Sequence, residues 1–90
     1  MIAYFVYDGN KDCDIVVLPE LGCSVPVDAE RLKTFISVNP DFSKWSGDSC
    51  SGMTPESFGT IVAIRDDCGD VSVRNGSFWQ QRMEIYLGTK

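Results

Sequence analysis

The pattern of hydrophobic and polar positions begins with two short apolar runs separated by a turn. Residues 2–7 and 14–18 are rich in Ile, Val and aromatic side chains, and the Asp-Gly-Asn-Lys stretch between them is a turn signal. We therefore predict an N-terminal β-hairpin over residues 2–18 with an acidic loop at its tip.

A helical periodicity replaces the β pattern after this hairpin. Asp28 is a good N-cap, and Leu32, Phe35 and Ile36 follow at the i, i+3, i+4 spacing of one apolar helix face. An Asn-Pro pair then stops the pattern. The sequence predicts one helix over residues 28–38, whose apolar face covers a sheet.

Residues 40–56 show neither the alternation of a strand nor the spacing of a helix. They are rich in Ser and Gly and include the aromatic residues Phe42 and Trp45. Structureless connections longer than about 12–15 residues are uncommon in compact domains and are often functional. The two aromatic residues either fasten this loop to the core or anchor a partner, since Trp is enriched at binding hot spots.

The C-terminal third, residues 59–87, reads as a β-meander. Two turn signals, Asp-Cys-Gly-Asp and Asn75-Gly76, separate the β-prone runs 60–66, 71–74 and 78–87. The last run also fits a helix with Trp79 on its apolar side, and we favour a strand. In its Gly-Thr-Ile-Val-Ala-Ile run, acidic turn and short Val-Ser-Val strand, this third loosely resembles small SH3-like barrels.

These elements predict a single α+β domain over residues 1–90. Its order is β-β-α-loop-β-β-β, with one antiparallel sheet of about five strands and one helix packed on it. Two alternatives stay open, a helical C-terminal segment (ββαββα) and an SH3-like, partly closed barrel.

The charge of the chain is concentrated at one end. The net charge is −5, and residues 1–30 carry six acids against one base, which accounts for all of it. Nucleic-acid binding requires a basic face, so we expect no direct nucleic-acid contact. An acidic end can steer a basic protein partner or block a nucleic-acid-binding protein by mimicry, and it can equally serve solubility alone.

The chain contains no histidine, which excludes Ser-His-Asp and Cys-His constellations within it. No catalytic or cofactor motif is present, so we predict a non-enzymatic protein without a cofactor. No apolar run approaches a membrane span, and the apolar N-terminal run lacks a basic leader. We therefore expect a cytoplasmic protein.

Cysteines and clustered acids are the remaining candidates for chemistry. The four cysteines lack the spacing of a zinc or redox motif, and in a cytoplasmic protein we expect no disulfide. Cys50, in a Ser/Gly-rich loop with Lys44 nearby, is the least implausible reactive thiol, and we favour an inert loop cysteine over that role. The acids at 66, 67 and 70 could ligate a divalent cation, but Asp in a turn more often bonds its own backbone, so we predict no metal.

Two functional hypotheses follow. The first is a protein-binding accessory or regulatory module, either with another protein or as a homodimer, and its predicted contact residues are Phe42, Trp45, Asp8, Asp12 and Asp14. The second is a small-ligand binder or enzyme with a pocket between helix, sheet and the 40–55 loop. The pocket residues predicted for that alternative are Trp45, Trp79, Asp66 and Glu84.

Overall fold

The computed structural model describes residues 1–37, 42, 45, 47–50, 52–74, 81 and 84. The described residues up to position 74 form one antiparallel sheet of six strands and one α-helix, which confirms the α+β class. In chain order the elements are β1 (Ala3–Asp8), β2 (Cys13–Leu18), β3 (Cys23–Pro26), α1 (Ala29–Phe35), β4 (Asp48–Ser49), β5 (Thr60–Arg65) and β6 (Val71–Val73). A 3-10 turn at Pro55–Ser57 lies on the connection from β4 to β5.

The strands lie side by side in the order β4-β3-β2-β1-β5-β6. The first strand is therefore central, with Phe5 opposite Val16 of β2 on one side and Ala63 of β5 on the other. The β1–β5 register shifts after Phe5, as at a β-bulge. In the described part of the chain the sheet is open, so the alternative of an SH3-like, partly closed barrel is wrong.

The face of the sheet under α1 carries the larger core. Leu32 and Phe35 of the helix are fully buried, and the Phe35 ring meets Phe5 edge-on with 5.8 Å between ring centroids. Burying such side chains stabilises the fold by about 1.5–3 kcal/mol each. The buried members of this helix-face core are Ala3, Phe5, Val16, Leu18, Cys23, Val25, Val27, Leu32, Phe35, Phe42, Val62 and Ala63.

A smaller core covers the opposite face. Val6, Val17 and Ile61 of the sheet are buried there against Cys50, and Phe58 packs on the same cluster. Cys50 and Phe58 belong to the connection from β4 to β5. This connection therefore crosses the sheet on the face away from α1, and the sheet has apolar cover on both sides.

Helix α1 begins as the sequence predicts and ends earlier. The Asp28 carboxylate accepts a hydrogen bond from the Arg31 backbone N–H at 2.8 Å, which caps the first turn. At the other end Ser37 Oγ donates to the Thr34 carbonyl at 2.8 Å, and Arg65 Nη1 lies 3.5 Å from the Phe35 carbonyl. These side chains satisfy terminal carbonyls, and the helix stops at Phe35 rather than at position 38.

Two strands lie where the sequence analysis placed connections. Residues 23–26 pair with β2, with Val25 opposite Val16, and β4 then pairs with β3 through Ser49 opposite Cys23. Both strands are too short to show a period, and their pairing with a neighbouring strand defines them. In the part of the chain that the structure describes, the sheet therefore has six strands rather than the predicted count of about five.

The strand predicted over residues 78–87 is contradicted where the structure describes it. Gln81 and Glu84, the two described residues of this run, are helical and exposed. Gln and Glu are good helix formers, and at these two positions this preference outweighs the alternation on which the strand prediction rested. The predicted Asn75-Gly76 turn lies outside the described residues.

Candidate functional site

Four chain segments meet at one end of the sheet, which we call the α1-start end. Tyr7, near the end of β1, is opposite Asp14 at the start of β2. The Val27 N–H donates to the Asp14 carbonyl at 3.0 Å, and Val27 connects β3 to α1. The acidic β1–β2 turn and the first turn of the helix therefore lie at the same end of the molecule.

Trp45 lies beside this end as a half-buried ring on the helix-face core. Its ring meets Phe42 edge-on, with 5.0 Å between centroids and an interplanar angle of 80°. Phe42 is only 4% exposed, so it fastens this part of the chain to the core. Trp45 retains exposed surface on a ring that packing holds in place.

Arg31 brings a guanidinium group to the Trp45 ring. Its Cζ lies 5.9 Å from the ring centroid, within the range of a cation–π interaction. Its Nη1 donates to the Pro26 carbonyl at 3.1 Å and lies 3.8 Å from Asp28 Oδ2. We call the Trp45 ring, the Asp28 carboxylate and the Pro26 carbonyl the guanidinium site.

The contacts that hold Arg31 there are individually weak. Its side chain is 39% exposed and that of Asp28 is 60% exposed. Exposed cation–π contacts contribute about 0.5–1 kcal/mol, and exposed ion pairs about 0–1 kcal/mol. Arg31 therefore occupies the guanidinium site without being locked into it.

The β1–β2 turn presents acids in a fixed backbone geometry. The Asp8 carboxylate accepts hydrogen bonds from the backbone N–H groups of Asn10 at 2.9 Å and Lys11 at 3.3 Å. The exposed Asp12, at a left-handed φ of 50°, accepts a hydrogen bond from the Tyr7 hydroxyl. The turn is thereby held in one shape with the Asp12 side chain at the surface.

Asp14 occupies a different position from the other predicted contact acids. Its side chain is 1% exposed and lies inside the α1-start end. A partner cannot reach this carboxylate without moving the strands around it. Of the five predicted contact residues, Asp14 and Phe42 are therefore buried beneath the surface, while Trp45, Asp8 and Asp12 contribute to it.

Two of the residues predicted for the ligand pocket, Trp45 and Asp66, lie at opposite ends of the sheet. Asp66 follows β5, whose last residue Arg65 is opposite Ala3 at the end of the sheet away from Tyr7. The Asp66 carboxylate accepts hydrogen bonds from the backbone N–H groups of Cys68 and Asp70, both at 2.9 Å. Glu84 is exposed, and Trp79 lies outside the described residues.

The Asp66 hydrogen bonds explain why acids cluster in the β5–β6 turn. These bonds fix the backbone of the turn, which is the role that the sequence analysis favoured over metal binding. Across the ranges that the structure describes, no group of three or more Cys, Asp or Glu side chains is placed to hold a metal ion.

All four cysteines are free thiols with contrasting exposure. Cys68 is exposed and Cys13 half-buried, whereas Cys23 and Cys50 are buried. Burial raises the pKa of the Cys23 thiol, and the neighbouring Cys50 raises it further. Cys50, the least implausible reactive thiol on the sequence alone, is only 4% exposed. Its N–H donates to the Gly22 carbonyl and its side chain enters the smaller core.

Sequence reasoning missed the part that Arg31 plays at this site. The i, i+3 spacing from Asp28 to Arg31 was a visible signal for an ion pair on the helix surface. Contact between Arg31 and Trp45 depends on how the chain after α1 returns to the helix, and no local pattern encodes that return.

Comparison with known proteins adds no family to this description. No family model, no curated protein and no solved structure matches the chain significantly. No helix in the described part of the chain is long and apolar enough to cross a membrane. The geometry of the α1-start end is therefore the basis on which a function is proposed.

Proposed function

We propose that the chain is a non-enzymatic protein-binding module of the cytoplasm that docks a partner through the surface around Trp45. The observation that carries the proposal is the half-buried Trp45 ring, which packs on Phe42 and the core and keeps part of its surface in solvent. A rigid aromatic side chain with exposed area loses little conformational entropy on binding, which is why Trp is common at interface hot spots.

Neighbouring charge supports a partner with basic character. Asp12, Asp28 and Glu30 are exposed at or near the α1-start end, and Asp8 is half-buried in the same turn. Charge complementarity of this kind raises association rates and excludes acidic partners more than it adds affinity. We therefore propose a partner with a positively charged docking surface.

The test is copurification of the full chain from an extract of its own source, with two matched variants. Trp45→Leu removes the aromatic surface, whereas Leu21→Ser changes an exposed apolar residue in the β2–β3 turn, at the other end of the sheet. We expect a polypeptide that accompanies the wild type and Leu21→Ser but is lost from Trp45→Leu.

Native mass spectrometry of the same samples distinguishes the competing functions. A partner retained by Trp45→Leu would place the docking surface elsewhere. A bound small-molecule mass, with no polypeptide, would replace the module by the ligand-binding alternative. A second copy of this chain, lost on Trp45→Leu, would identify the partner as a homodimer.

A further inference from the structure

From the occupied guanidinium site we infer that the partner presents an arginine, and that its guanidinium replaces that of Arg31 on Trp45, Asp28 and Pro26. This inference rests on the proposed function, because it names the chemistry recognised at the same surface. Arg31 is then an internal competitor that occupies the site until a partner arginine takes its place.

The three groups of the site suit a guanidinium better than an ammonium. The Trp45 ring offers a face on which a planar cation stacks, Asp28 offers a carboxylate, and Pro26 offers a carbonyl oxygen. A guanidinium is planar and carries five N–H donors in a fixed fork, so it can stack and donate in two directions at once. A lysine ammonium is a compact, strongly hydrated charge that does not stack.

Exchange leaves the site itself intact. Asp28 caps α1 through Oδ1 and the backbone N–H of Arg31, and this bond does not involve the guanidinium. The Trp45 ring is held from beneath by Phe42 and the core. The groups that receive the cation therefore keep their places when the Arg31 side chain moves into solvent.

The surrounding charge selects the competitor. Asp8, Asp12 and Glu30 bring further acidic side chains to the surface near this end, and Lys11 is the base of the same turn. A neutral or acidic segment gains nothing from this field, whereas a basic segment is drawn to it. The occupant is accordingly a basic segment that contains arginine, rather than a single arginine in a neutral surface.

The test measures binding of a fluorescein-labelled peptide of alternating glycine and arginine, and of its lysine twin with the same charge. Arg31→Met keeps an apolar stem on the helix and removes the competitor. Lys33→Met removes the same charge from an exposed position of the same helix that is not part of the guanidinium site. If Arg31 holds the site in roughly four of five molecules, removing it raises the apparent affinity about fivefold.

We expect Arg31→Met to bind the arginine peptide about fivefold more tightly than the wild type, and Lys33→Met to differ from the wild type by less than twofold. Asp28→Asn, which retains a side-chain oxygen for the helix cap, is expected to bind the peptide more weakly. The lysine peptide is expected to gain nothing from Arg31→Met.

Three results would overturn the inference: equal or weaker binding by Arg31→Met, an equal gain in Lys33→Met, or no binding to Arg31→Met at millimolar peptide. If Trp45→Leu abolishes peptide binding while Arg31→Met gives no gain, the proposed docking surface stands and the exchange fails. If Trp45→Leu binds the peptide as the wild type does, both fail.

Discussion

Gly59 shows how one residue permits β5 to pair with the central strand β1. An added Cβ at this position would lie 2.1 Å from the Tyr7 carbonyl oxygen, and the residue has φ of 153°. Gly59 comes immediately before β5, where Thr60 is opposite Tyr7. The chain that enters β5 can approach the Tyr7 backbone this closely because residue 59 has no side chain.

We expect Gly59→Ala to lower the free energy of unfolding by roughly 3 kcal/mol, because both the backbone conformation and the close approach oppose a Cβ. The matched control is Gly52→Ala, where φ is 78° and no atom lies within 4 Å of the added Cβ. Strain without a clash costs about 1 kcal/mol there. Urea denaturation measures both, and equal losses would show that the contact with Tyr7 relaxes without cost.

At the scale of single residues, the sequence predicts contacts between residues that are close in the chain and misses contacts between distant ones. The capping role of Asp28 is visible because its partner is three residues away. Arg31 and Trp45 meet only because Phe42 and Trp45 dock against the helix-face core. The burial of Asp14 was equally hidden, because a hairpin pattern does not show which end of a strand another element covers.

Helix α1 depends on its first turn. It has seven residues, too few to be stable alone, so its cap and its two fully buried side chains carry much of the stabilisation. Asp28→Ala is expected to lower the free energy of unfolding by about 1 kcal/mol, and Asp28→Asn to leave it nearly unchanged.

Urea denaturation of these two Asp28 variants also provides a control for the peptide-binding experiment. Because Asp28→Asn separates the cap from the carboxylate charge, a large loss of stability in Asp28→Asn would show that the charge itself stabilises the helix. The weaker peptide binding predicted for that variant would then have to be corrected for partial unfolding.

At the scale of elements, the sequence predicts the strands and the helix whose hydrophobic positions recur with a clear period, and it misses those without such a period. The strands β1, β2, β5 and β6 and the helix α1 appear within one to three residues of their predicted bounds. The strands β3 and β4 exist because a neighbour supplies hydrogen-bond partners, which composition does not reveal. In residues 78–87 the apolar positions fit both periods, and the described residues are helical.

At the scale of the whole molecule, the described residues form a sheet covered by α1 on one face and by the β4–β5 connection on the other. This arrangement divides the thiols into two classes. Cys68 and Cys13 are reached from solvent, whereas Cys23 and Cys50 lie in the two cores. Burial also raises the pKa of the Cys23 thiol, which reduces its reactive thiolate fraction.

We expect a thiol reagent to modify two cysteines rapidly in the native protein, with Cys68 the fastest, and the other two only as fast as the structure opens. A Cys13→Ser, Cys68→Ser double variant should show only the slow phase, and urea should convert it to a fast one. A rapid phase in that double variant would mean that the β3–β4 edge opens readily.

The raised pKa of the Cys23 thiol also determines how the stability of the protein changes at high pH. In the folded state the pKa of the Cys23 thiol lies above its ordinary value of 9.0. The folded protein therefore keeps this proton at a pH at which the unfolded chain has released it. Above that pH the unfolded state therefore binds fewer protons, and the free energy of unfolding falls as pH rises. Cys23→Ala is expected to show a weaker decline between pH 8 and pH 10 in urea titrations.

The central place of β1 has a consequence for biosynthesis. As the chain leaves the ribosome, β2 and then β3 can pair in turn on one side of β1, followed by α1 on one face. The other edge of β1 has no strand until residues 60–65 emerge, and Val6 and Val17 lack Phe58 and Ile61 until then. A nascent chain stalled before β5 exposes an unpaired edge and an uncovered apolar face, the two features that recruit chaperones or lead to aggregation.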